Sequence, residues 1–320
     1  MKKLLFAVLV VLGALLPAAA WCQPPAFLAI WGSSGDQPGR FIHPTGLALD
    51  PSGNLYVADL VNHRIQVLSS SGDFVRLWGS YGQDSWSITG PTHLAVDPNG
   101  RLYVAEWTIS WPQTQTGLQV FSTGGSYITS WGTNSCLRDP GVFCGPFGVA
   151  VGPDGRVYVT DTGLQRLQVF TGEGAYVTEW AVKGGDVALD ASSDVYVATG
   201  GGVWKFSSSG AALDSWGSAG TGPGQFNSPC GVAVDASGNV YVADTFNHRV
   251  QVFTSSGVFV TEWGSYGSGP GQFYRPMGIA VAADGRVIVA DTYNDRIQVF
   301  GPVPTAAKST SWGRIKALYR

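Results

Sequence analysis

The chain has 320 residues, 44% of them hydrophobic and only 13% charged, with 44 glycines, 12 tryptophans and a formal net charge of −3. That is apolar enough to fill a sizeable core and too weakly charged for a disordered chain. An acidic balance also argues against nucleic acid as a partner.

In chain order, residues 1–20 read as a secretory signal. Lys2 and Lys3 precede the apolar run Leu4–Leu16, and Ala18, Ala19 and Ala20 supply small residues for cleavage. The run is short for a membrane span, and bulky Trp21 sits where a lipid anchor on Cys22 would need small residues. The mature chain is expected to be secreted or periplasmic, to lack a membrane span and to be a monomer. Disulfides are permitted there. Cys136 and Cys144, eight apart in one irregular stretch, are expected to be bridged; Cys22 and Cys230 could be bridged or free.

From Gly46 the chain repeats. Gly46–Asp59 (GLALDPSGNLYVAD) returns at Gly231–Asp244 as GVAVDASGNVYVAD. The third apolar residue of each copy falls at Leu49, Val96, Val151, Leu189, Val234 and Val281, with spacings of 38 to 55 residues. A period of that size, built of short strands and turns, predicts an all-β, six-bladed β-propeller. Within the first copy, Gly46–Asp50 suits an innermost strand and Asp50–Asn54 a glycine turn. Leu55–Ala58 then gives a second strand. Arg64–Leu68 alternates polar and apolar as a third, and Phe74–Trp78 is the outer strand. Four antiparallel strands make one blade. Complete copies span 44–79, 91–132, 146–180, 187–217 and 229–264; the sixth starts at Pro276 and stops at Phe300. Phe27–Gly32 matches the outer-strand pattern of Phe259–Gly264, so the N-terminal strand is expected to close the last blade and cover its edge. Ser309–Gly313 is a shorter alternative for that strand. The propeller is assigned to 21–303, and 304–320 is a short basic tail.

The run Tyr241–Phe253, with Asn247-His248-Arg249, resembles the NHL repeat, as do Val57–Leu68 and Val289–Phe300. The connector Gly-Pro-Gly-Gln-Phe at Gly222–Phe226 and Gly269–Phe273 is similar to that family too. Copy two departs at Glu106, copy three has Gln165-Arg166, and copy four lacks both the Pro-x-Gly start and the Asn-x-Arg segment. The resemblance implies a scaffold that elsewhere serves protein- and RNA-binding modules and a few lyases, and fold alone does not choose among them.

In an up-and-down blade, the turn between second and third strands shares a face with the crossover to the next blade. The long segments fall there: Glu106–Gly117, the cysteine stretch 133–145 and all four histidines. Ligands bind where loops vary on a rigid frame. The candidate binding residues are His43, Thr45, His93, Trp107, Trp111, Phe147, Arg275 and Met277. His63 and His248 read as turn residues of the repeat. His93 replaces the glycine found at Gly46, Gly148, Gly231 and Gly278. The acids Asp59, Glu106, Asp161, Asp244 and Asp291 recur as a ring; a cation site is one reading, but Asp244 with Arg249 and Asp291 with Arg296 come at matched spacing, so the ring reads as structural pairs. No G-x-S-x-G, H-E-x-x-H or phosphate loop occurs.

The favoured function is a non-enzymatic module binding a protein, peptide or glycan outside the cytoplasm, without a cofactor. The alternative is a metal-dependent lyase or hydrolase at the axial mouth, with zinc or calcium on His43 and His93 and Glu106 or Tyr103 as acid or base. A purely structural envelope scaffold is a third reading.

Overall fold

The computed structural model describes residues 23–82, 84, 86–107 and 116–303. Residues 1–20, where a signal segment is expected, Cys22, Trp111, Ser309–Gly313 and the basic tail lie outside the described residues.

Six antiparallel sheets form the blades, each of four strands, with a fifth, short parallel strand added to the second. Blade one runs Pro44–Leu49, Leu55–Asp59, Arg64–Leu68 and Phe74–Trp78 from axis to rim. Blades two to five follow the same order, starting at Pro91, Pro146, Val187 and Gly231. Blade six takes Ile279–Val281, Val287–Asp291 and Arg296–Phe300, and its outer strand is Phe27–Trp31. Ala29 pairs with Val299, Ile30 with Gln298 and Trp31 with Ile297, which is the closure expected from the N-terminal pattern.

The turns follow from side-chain chemistry. Between the first two strands of blade one, Asp50 Oδ1 accepts the amide hydrogens of Ser52 and Asn54, and Gly53 takes φ +83°. Asp97 and Asp235 repeat that arrangement. In blades one, two, four and five the second-strand tyrosine reaches back to the same carboxylate; Tyr196 binds Asp190 at 3.0 Å and the Tyr241 hydroxyl binds Asp235 at 3.0 Å.

The core is six clusters, one at each junction of neighbouring blades. Second and third strands are buried apart from Trp204 and Lys205 of blade four and a few strand ends, while outer strands are largely exposed or half-buried. Five of the tryptophans that end the outer strands lie over a turn glycine of the next blade, and the sixth, Trp263, packs on Phe300. At Gly174, with φ +91°, a Cβ would sit 2.7 Å from the Trp131 ring, so only glycine lets the blades approach.

The cysteine stretch is more regular than expected. Cys136 and Cys144 are bridged, but a ladder also holds the segment. The outer strand of blade two extends to Asn134, past 132, and Val142–Phe143 pairs parallel to it. The same parallel closure recurs at Ser218–Ala219 with Gln225–Phe226 and at Tyr266 with Phe273, so the stretch is a normal connector with a bridge added.

Candidate functional site

The recurring acids are buried anchors. Asp59 Oδ2 lies 2.7 Å from Arg64 Nε and also accepts from Asn62 and Gln66. Arg64 and Gln66 in turn donate to main-chain carbonyls of the incoming connector, at Gln37 and Arg40. Asp244–Arg249–Gln251 and Asp291–Arg296–Gln298 do the same at Gln225 and Gln272. In blade three the Asp161–Arg166 separation widens to 3.6 Å. These carboxylates are occupied by the fold.

The threonines beside the channel are also committed. Thr45 Oγ1 donates to Pro91 O at 3.1 Å and Thr92 Oγ1 to Phe147 O at 2.9 Å, each tying one inner strand to the next. Met277 is partly buried and its amide bonds Ala290 O. Trp107 is 51% exposed at the start of the blade-two loop.

His93 and Phe147 come together, with ring centroids 4.6 Å apart, at the crossover end of an axial cavity of about 220 Å³. Opposite stands Asp186, whose Oδ2 is 3.7 Å from His93 Nε2 and accepts the Val232 amide hydrogen. The register explains the meeting. Val187 pairs with Val197 as Leu47 pairs with Val57, so Asp186 stands at the repeat's glycine position, as His93 does. The position is crowded: a Cβ at Gly278 would lie 1.9 Å from Thr45 O. Two blades have exchanged a tight glycine for a polar side chain aimed across the axis. Both groups are fully buried; desolvation pushes His93 below the ordinary imidazole range and Asp186 above the carboxylate range. The sequence showed His93 but hid Asp186, because copy four lacks the Pro-x-Gly that marks the position. His43 is elsewhere. Among the described residues no three His, Cys, Asp or Glu groups gather to hold a metal ion.

His43 and Arg275 are brought together indirectly, through tyrosines that sequence reasoning missed. On the crossover face of blades five, six and one, the Arg275 guanidinium lies 4.6 Å from the Phe246 ring and 5.0 Å from Tyr293. Tyr274 is 5.8 Å away. The chain of rings continues from Tyr293 to His43 at 4.6 Å, and from Tyr274 to Tyr266 at 5.3 Å and His248 at 5.9 Å. Among the described residues Arg275 has no carboxylate partner. Tyr266 and Phe246 are exposed, at 66% and 44%. His248 fixes the belt: its Nδ1 accepts the Arg275 amide hydrogen at 3.0 Å, which requires that nitrogen unprotonated. Burial and the Arg275 charge hold its pKa below the ordinary value. The motif W-G-S-Y-G at Trp78–Gly82 and Trp263–Gly267 was the available signal. It places Tyr81 on His63 at 5.0 Å and Tyr266 on His248 at 5.1 Å.

The comparisons agree with the architecture. The NHL repeat model matches residues 41–68, 143–170, 226–253 and 273–300. A B-box type zinc finger protein, ncl-1, of Caenorhabditis elegans is 37% identical over 140 residues, 44% of this chain and 15% of that protein, so the match spans a small part of its length. Similar solved structures include an auxiliary nutrient binding protein from Bacteroides thetaiotaomicron, with TM-score 0.65, 13% identity and coverage of 88% of this chain and 76% of that one. A gluconolactonase from Xanthomonas campestris has TM-score 0.62 and 17% identity, covering 89% and 99%. At such identities they share the fold alone. The four repeat matches, set on six blades in a closed ring, place this chain in the NHL-repeat β-propeller family.

Proposed function

We propose that this chain is an extracytoplasmic binding module that recognises a protein, peptide or glycan through its crossover face. The observation that carries the reading is the aromatic belt around Arg275. A guanidinium without a carboxylate partner, bedded on partly exposed rings, presents both hydrogen-bond donors and flat apolar surface. Those are the groups that dominate recognition surfaces. The nutrient-binding neighbour supports a binding role. The leader-like residues 1–20 and the Cys136–Cys144 bridge support an address outside the cytoplasm. No helix among the described residues is long and apolar enough to cross a membrane.

One observation favours a second reading, a lyase or hydrolase at the axial end. A buried imidazole beside a carboxylate can move a proton, and His93 and Asp186 are so placed.

The test screens purified protein against immobilised peptides and glycans, with Arg275→Ala/Tyr293→Ala as the paired variant. The expected result is a ligand whose affinity the variant lowers at least tenfold, a loss of ~1.4 kcal/mol or more. A ligand bound equally well by both proteins would remove the belt from the function. Turnover abolished by His93→Ala but untouched by the belt variant would favour the enzyme.

A further inference from the structure

Blade two, with Gly117, keeps the glutamine Gln119, whereas blade four has lost both the arginine and the glutamine by which blades one, three, five and six hold their connectors. Its third strand pairs Val197 with Trp204 and Thr199 with Gly202, as blade one pairs Val57 with Gln66 and Asp59 with Arg64. Gly202 and Trp204 therefore stand where the connector-gripping arginine and glutamine stand elsewhere. The connector is trimmed to match. Only Val182–Asp186 separate the outer strand of blade three, ending at Ala181, from Val187, and the turn between Thr199 and Gly202 is reduced to Gly200-Gly201. The shortest repeat spacing, 38 residues, falls here. Where the other blades have a length of their own chain on the third strand, blade four has an open cavity of about 580 Å³.

Its lining is specific. The Trp204 indole, 43% exposed, lies nearly parallel to the Phe206 ring, at 18° and 5.9 Å, and forms a flat floor. Lys183 and Gln165 stand at the rim, and Lys183 has no ion pair among the described residues. Gly200 exposes bare main chain; a Cβ there would meet nothing within 4 Å. The guanidinium and amide that grip peptide carbonyls are absent, so the cavity is not suited to replacing the lost connector with another main chain. A flat apolar floor with one cation at its edge fits a sugar ring whose C–H face stacks on the indole and whose carboxylate meets the ammonium. The volume is that of an ordinary small-ligand site.

We infer that this cavity between blades three and four is a subsite for a uronic-acid residue of an acidic polysaccharide, with Trp204 as the stacking platform and Lys183 as the carboxylate partner. The inference rests on the crossover-face reading and adds to it a ligand class and a second contact point away from Arg275.

The experiment is calorimetric titration of full-length mature protein with an oligogalacturonate hexamer, its methyl ester and a neutral maltohexaose. The expected result is binding of the acid, with the ester and the neutral sugar at least about tenfold weaker. Trp204→Ala should weaken the acid at least tenfold and Trp204→Phe much less. Lys183→Gln should reduce the acid to the affinity of its ester. Should Trp204→Ala fail to fold, Trp204→Phe and Lys183→Gln, at solvent-accessible groups, still decide. Absence of oligogalacturonate binding overturns the inference, and so does binding unchanged by Trp204→Ala and Lys183→Gln. Binding lost on Arg275→Ala/Tyr293→Ala but not on the cavity variants overturns the cavity assignment and leaves the crossover-face reading standing.

Discussion

At the scale of single residues, Glu106 shows what happens when the repeat loses one partner. One step beyond the Ala105–Leu118 pair, the position taken by arginine in blades one, three, five and six is Gly117. The carboxylate keeps one hydrogen bond, from the Thr89 amide at 2.9 Å, while Oε1 has no partner among the described residues. Burial pushes its pKa from 4.5 up to about 8. A raised acid favours the folded state when protonated, so its penalty is absent below pH 4.5, develops between 4.5 and 8, and is complete above. There it is on the order of 5 kcal/mol. Glu106→Gln, which keeps the acceptor for Thr89, should therefore stabilise the protein at pH 8 and change little at pH 4.5, by thermal denaturation at both. His248 has the opposite sign. Its lowered pKa gives stability that is present above 6.5 and lost as pH falls through the folded value. Protonation also removes the acceptor that positions Arg275 and sets a like charge beside it. Ligand affinity at the belt should fall between pH 7.5 and pH 5, and His248→Gln should flatten that fall; titrations at the two values check it.

At the scale of the element, the unit is the third-strand clamp on its connector. Arg249 reaches Asp244 at 2.9 Å and the carbonyls of Thr221, Gly222 and Gln225. Arg249→Met leaves a buried carboxylate without its cation and frees the connector, at a cost of about 3–5 kcal/mol. Asp244→Asn/Arg249→Met should recover part of that, and urea unfolding of the three proteins measures both. The strands, the turns and the acid–arginine spacing were legible in the sequence because each is a local pattern repeated from blade to blade, the acid–arginine pair in four of the six. The binding face was not. Phe246, Tyr274 and Tyr293 each read as one more turn residue, and they become a belt only when connectors of different blades are set side by side. Asp186 and Trp204 were hidden for a related reason: they lie in the copy where the motif that fixes the alignment is missing, so their register positions emerge only from strand pairing.

At the scale of the whole molecule, the ring is held by six interchangeable junctions, but only one joins the two ends of the chain. The sequence revealed that closure because Phe27–Gly32 carries an outer-strand pattern and the sixth copy stops one strand short. Trp31 completes the junction. It is 8% exposed, packs with Phe41, Leu47 and Ile297 between blades six and one, and overlies Gly72, where a Cβ would come 2.3 Å from its Nε1. Trp78, Trp131, Trp180 and Trp216 make the same contact inside a continuous run of chain, where loop connections keep neighbouring blades together after the contact is lost. At the closure, the contact and the five-residue strand are the tie. Trp31→Ala should therefore cost about 3–5 kcal/mol of burial and cavity, or roughly 6–20 °C in melting temperature. It should also expose the edge of Arg296–Phe300 to intermolecular pairing. Trp180→Ala, inside the chain, should cost a similar free energy without concentration-dependent aggregation. Melting curves and light scattering on the two variants at matched concentrations separate these outcomes. Equal aggregation would mean that the closure is no weaker than any other junction of the ring.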